Sequence, residues 1–143
     1  MDVVYAETDK ELNQALREFS ERGVQNVVIE NHVAGDLVKF YGVEGTDFFE
    51  TYYATENCAF SKYGNEQVNG APAHYEFDSK SLKDMADMAA RLTGFTIYGG
   101  DAVVMPDGKV TIIDFNDWPS FSSCRKEASK AISERLTQEI NCY

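Results

Sequence analysis

Basic residues are scarce in this chain of 143 residues: 13 Lys+Arg stand against 24 Asp+Glu, a formal charge of −11. Binding to a phosphate backbone needs clustered Lys and Arg, so a nucleic-acid partner is excluded. An anionic membrane surface is excluded on the same ground. Histidine is rarer still, with 2 in the chain, so a His-rich metal site is ruled out. The three cysteines, Cys58, Cys124 and Cys142, lie far apart and form no C-x-x-C pair, which removes zinc ribbons and dithiol redox motifs. Reduced thiols fit a reducing compartment. No apolar run reaches the roughly 18 residues of a membrane span, and no charged-then-apolar leader is visible, so the expected location is the cytoplasm. No glycine-rich run ends in Lys-Ser or Lys-Thr, so a P-loop is absent.

What remains is a globular composition, 43% hydrophobic and 13% aromatic. The length fits one domain of about 100–150 residues. Asp2 to Tyr5 reads as a short strand. Thr8 and Glu11 form a capping box for a helix whose apolar stripe is Leu12, Leu16 and Phe19, with Gly23 as its stop. Val27-Val28-Ile29 is a continuous apolar run of strand length and reads as a strand buried on both faces. Leu37 to Val43 and Phe48 to Tyr53 are further strands. Residues 55–77 lack periodicity and read as a long loop. Ser79 or Ser81 caps a second helix, with Leu82, Met85, Ala86, Ala89 and Leu92 as its apolar face and Gly94 as its end. A last helix runs to about Glu139, capped by Ser122 or Ser123, with a thin apolar side of Ala128, Ala131, Ile132 and Leu136. Its first N–H groups, with Arg125 and Lys126, offer an alternative role in receiving an anion. The fold class is α+β, an antiparallel β-sheet core with flanking helices.

The clearest supersecondary unit is a hairpin, Phe95–Met105 and Lys109–Phe115, closed by Pro106-Asp107-Gly108. In a plain register Asp101 faces Ile113. With a bulge at Gly108 it faces Asp114, and Asp101, Asp114 and Asn116 share one face together with Ile112 and Val110. Like charges directly opposed destabilise a sheet. A divalent cation removes that penalty, and oxygen-only donors suit Mg²⁺ or Mn²⁺. Acidic residues at strand ends are also ordinary, and the D-x-N spacing alone is weak.

The string Tyr98-Gly99-Gly100-Asp101, strand, Pro106-Asp107-Gly108, strand, Ile112-Ile113-Asp114-Phe115-Asn116-Asp117-Trp118-Pro119-Ser120 resembles the metal-binding end of the ATP-grasp superfamily. The resemblance implies that Asp101, Asp114 and Asn116 bind the Mg²⁺ ions that bridge the phosphates of ATP. Val27 to Asp36 is similar to the family's hinge strand, which places Glu30, Asn31 and Val33 at adenine-contacting positions and Asp36 near a ribose-binding carboxylate. Lys39 falls where related proteins place a basic residue that touches phosphate or substrate. The implied cofactors are ATP and Mg²⁺ (or Mn²⁺), and the implied partner is a small-molecule acceptor.

By the same resemblance, residues 1–33 are the remnant of the small β-α-β subdomain ending in the adenine hinge. Residues 34–143 are the C-terminal subdomain, and the two together make one truncated ATP-grasp domain. The glycine-rich loop and the two phosphate lysines of the small subdomain have no counterpart here, so the chain alone is expected to be inactive. The surface left by the missing part would favour self-association. Amide-forming members carry an arginine at the position of Gly99. The implied reaction is that of a carboxylate–amine or carboxylate–thiol ligase acting through an acyl-phosphate. The alternatives are a small-molecule kinase of the inositol-phosphate-kinase type and a non-catalytic half-domain. Trp118 is either a lid aromatic or plain packing.

Overall fold

A computed structural model describes residues 3–53 and 71–141. The elements, in chain order, are α1 (Asp9–Glu21), β1 (Asp36–Val43), β2 (Phe49–Tyr53), α2 (Ser79–Thr93), β3 (Ile97–Val104), β4 (Val110–Asp117) and α3 (Arg125–Ile140). The chain divides into two compact units, Met1–His32 and Val33–Tyr143. The second is α+β and contains one four-stranded antiparallel sheet in the order β2-β1-β3-β4.

In the first unit, α1 starts on the expected capping box. Thr8 Oγ1 accepts the Glu11 N–H at 3.3 Å, and Glu11 Oε2 accepts the Thr8 N–H at 3.1 Å. The two strands expected on either side of this helix do not form. Residues 3–5 and 27–29 are irregular, and Val28 and Ile29 are 85% and 62% exposed. A strand exists only through a ladder partner, and local β-propensity does not supply one. The ring of Tyr5 packs edge-on against His32 at 5.1 Å.

In the second unit the sheet buries apolar side chains on both faces. On one face Leu82, Ala86 and Ala90 of α2 pack against Phe40, Tyr98 and Ala102. The buried stripe of α2 keeps Leu82 and Ala86 of the expected face and adds Ala90, while Met85 is exposed. Leu92, expected inside, is 82% exposed. The helix is capped by Asp78, whose Oδ1 accepts the Lys80 N–H at 3.0 Å, in place of Ser79 or Ser81. Gly94 ends it at φ +78°, a backbone state that favours glycine. On the other face Cys124 and Ala128 cluster with Ile97, Phe121, Tyr41 and Ile132. The cap position of α3 is Cys124, with no side-chain cap bond, so the serine caps are not realised.

The expected long loop falls largely on residues outside the described ones. Its last part, residues 71–77, is irregular and is tied to the sheet by Asp36. One bond network crosses the α2 face. The buried Tyr98 hydroxyl donates to Asp87 Oδ1 at 2.6 Å, and Lys83 Nζ donates to Asp87 Oδ2 at 2.5 Å. Burial, then the bond to Asp87, pushes the Tyr98 hydroxyl well above its ordinary range.

Candidate functional site

The hairpin β3–β4 closes on Pro106-Asp107-Gly108 as the sequence indicates. Met105 N–H donates to Lys109 O at 2.8 Å, and Gly108 N–H donates to Met105 O at 2.9 Å, with Gly108 at φ +80°. The ladder then runs Val104↔Val110, Val103↔Thr111 and Ala102↔Ile112, and shifts by one before Asp101↔Asp114. The bulge that opposes Asp101 to Asp114 is therefore at Ile113, not at Gly108.

The reason is packing. Ile112 and Phe115 both belong to the α2-side cluster, although they are three residues apart. Strict alternation cannot place residues three apart on one face. An extra residue between them can, and the bulge supplies it. This corrects the expected face: Ile112 and Val110 lie on the α2 side, while Asp114 and Asn116 lie on the other.

The next strand extends the row. Lys39 pairs with Asp101, and Tyr52 pairs with Lys39, so Tyr52, Lys39, Asp101 and Asp114 form one line across all four strands. Lys39 Nζ lies 3.3 Å from Asp101 Oδ1. The Asn116 amide donates to Asp114 Oδ2. Among the described residues, Asp101 Oδ2 and Asp114 Oδ1 are left without a hydrogen-bond partner. With Lys39 included the row carries two negative charges and one positive. The structure thus brings together Lys39, Asp101, Asp114 and Asn116.

The neighbouring line is Glu50, Tyr41, Gly99 and Asn116. A Cβ at Gly99 would come within 2.8 Å of the Pro119 ring, so Pro119 lies over Gly99 on the carboxylate side. On the same face Tyr52 packs against Tyr41 at 6.0 Å. Burial, then the neighbouring Cys124, pushes the Tyr52 hydroxyl above its ordinary range, and burial also raises the Cys124 thiol.

The remaining expected residues lie elsewhere. Asp36 is buried at the start of β1, where its two oxygens accept the Ala73 N–H at 2.7 Å and the Tyr75 N–H at 2.9 Å. Alternation along β1 puts it on the face opposite Lys39. Glu30 and Asn31 are exposed on irregular chain in the first unit, and Val33 is half-buried at the start of the second. Among the described residues, no three of His, Cys, Asp or Glu come together as a metal site. The oxygen set here is two carboxylates and an amide.

Two features of this region had no signal in the sequence. Trp118 and Phe121 adopt φ +44° and +49°, a region non-glycine residues seldom enter. Against that background, no family model matches the chain, and neither a curated protein nor a solved structure matches it.

Proposed function

We propose that the face of β3–β4 bearing Asp101 and Asp114 holds a divalent cation, Mg²⁺ or Mn²⁺, together with a phosphate-bearing nucleotide. The observation that carries this is the direct pairing of Asp101 with Asp114, each with one carboxylate oxygen left over. Their Cβ atoms are then about 5 Å apart, close enough for one ion to meet both carboxylates. Hard oxygen donors favour Mg²⁺ or Mn²⁺ over zinc. Asn116 adds an amide from two residues on, and Lys39 adds the positive charge that a polyphosphate needs in a chain so acidic.

In the ATP-grasp reading that cation neutralises charge on the triphosphate and aligns its oxygens. Asp101, Asp114 and Asn116 hold it, and Lys39 meets the anion. Glu30, Asn31 and Val33 remain the proposed adenine contacts, while Asp36, whose two oxygens accept backbone N–H groups on the face opposite Lys39, is not carried forward as a ribose contact. Residues 1–33 and 34–143 then correspond to the small-subdomain remnant and the C-terminal subdomain. Exposed Val28 and Ile29 are the surface on which self-association would rest. Among the described residues no helix is long and apolar enough to cross a membrane; the proposed location is the cytoplasm.

The reaction class proposed is ATP-dependent ligation of a carboxylate to an amine or thiol, with no turnover by this chain alone. One observation favours the small-molecule kinase as a second reading. Pro119 occupies the space above Gly99, so the position cannot carry the arginine of amide-forming members.

The test is calorimetric titration with MgATP, comparing the natural chain with Asp114→Ala. Saturable binding that Asp114→Ala weakens at least tenfold supports the reading. Equal affinity in both removes Asp114 from the site.

A further inference from the structure

The loop that leaves β4 is held at both ends and shows one ring to solvent. Trp118 N–H donates to Ile97 O at 3.2 Å, and Pro119 sits over Gly99. Phe121 is buried, with its ring 5.7 Å from Tyr41 and 6.3 Å from Phe48, and its carbonyl accepts the Cys124 N–H at 3.0 Å. Between these anchors the Trp118 side chain is 68% exposed.

Its backbone sits at φ +44°, a conformation that is unfavourable for a bulky residue and persists only where the surroundings enforce it. Core packing does not account for Trp118, because most of its surface meets no other described residue. A large apolar ring, fixed in a strained backbone and turned outward, is arranged to meet something. Trp118 follows Asn116 by two residues and Asp114 by four. At about 3.3 Å per residue its backbone is within roughly 13 Å of the carboxylate pair.

We infer that Trp118 is a stacking platform for the ring-bearing end of the ligand whose phosphates are held at Asp101, Asp114 and Lys39. This rests on the cation–phosphate reading above. It adds that Trp118 meets the face of the ligand's ring. A base of any identity offers such a face, so the contact selects for a ring and not for one base.

The chain contains 1 tryptophan, so its own fluorescence reports this residue alone. The probes are MgATP, which carries a ring, and magnesium tripolyphosphate, which does not. Binding of both is followed by calorimetry, and emission is corrected for absorption with free N-acetyl-tryptophanamide. The expected result is that both bind through Asp114 but only MgATP shifts or quenches the emission. Trp118→Ala weakens MgATP about tenfold or more and leaves tripolyphosphate within about twofold, and Trp118→Phe keeps most of the affinity. Trp118→Gly, which relieves the left-handed strain, is at least as stable as the natural chain yet binds MgATP as weakly as Trp118→Ala.

Asp114-dependent MgATP binding with unchanged emission, or equal changes with both probes, overturns the stacking role and leaves the cation reading standing. Loss of stability in Trp118→Gly assigns the ring to packing and overturns it too. Absence of binding by either probe overturns the cation reading and this inference with it.

Discussion

Asp101 and Asp114 stand directly opposite each other on adjacent antiparallel strands, and Lys39 closes on Asp101 from the third. Two carboxylates in that relation repel, and the sheet tolerates them because an ammonium group is beside one and an amide beside the other. The Lys39–Asp101 contact alone is consistent with a purely structural ion-pair row. The two readings differ in what happens when Lys39 is removed.

Lys39→Met is expected to destabilise the chain by about 1 kcal/mol at neutral pH, since it leaves the carboxylates opposed without the ammonium group beside Asp101. Thermal unfolding measures this. Millimolar Mn²⁺ should restore the midpoint if the pair accepts a metal. Adding Asp101→Asn to Lys39→Met should restore it without metal, because the repulsion is then gone. A midpoint indifferent to Mn²⁺ in Lys39→Met would favour the structural row.

Asp36 accepts two backbone N–H groups and anchors residues 73–75 to the sheet. Asp36→Ala leaves both donors without their acceptor, so a loss of about 3 kcal/mol is expected, with Asp36→Asn at an intermediate value. Urea denaturation checks this. A stability unchanged in Asp36→Ala would show that the two bonds are not what holds residues 73–75.

Alkali should unfold the protein in a defined window. Tyr98, Tyr52 and Cys124 all have folded-state pKa values raised chiefly by burial, from ordinary values of 10.0 for the tyrosines and 9.0 for the thiol. A raised pKa means the unfolded chain loses its proton first as pH rises. The stabilisation of the neutral groups is therefore complete below about pH 9 and declines above it. Tyrosinate absorbance followed against circular dichroism should show some tyrosines ionising only as the fold is lost. Tyr98→Phe should be less stable at neutral pH by about 1–2 kcal/mol, for loss of the buried bond to Asp87, and fall less steeply above pH 10.

What could be read ahead of the structure was mostly local. The capping box at Thr8, the glycine stop at Gly94 and the Pro106-Asp107-Gly108 turn each rest on a few adjacent residues, and all three are present. The strands at 3–5 and 27–29 depended on ladder partners that no local pattern supplies, and they are absent from the described residues. The bulge fell between. The sequence allows a bulge that opposes Asp101 to Asp114, but its position follows from Ile112 and Phe115 both needing the α2 face. That apolar spacing of three is present in the chain itself. The outward Trp118 could not be read, because its left-handed backbone opposes the residue's own preference and is imposed by neighbours on other strands.

The proposed function rests on a divalent cation between Asp101 and Asp114. The most direct measurement is electron paramagnetic resonance of Mn²⁺ added to the protein in the absence of nucleotide. Loss of the free-ion signal at one Mn²⁺ per chain is expected, with binding retained in Trp118→Phe and abolished in Asp101→Asn and in Asp114→Ala. An undiminished free-ion signal with the natural chain, or equal binding by the Asp114→Ala variant, would contradict it.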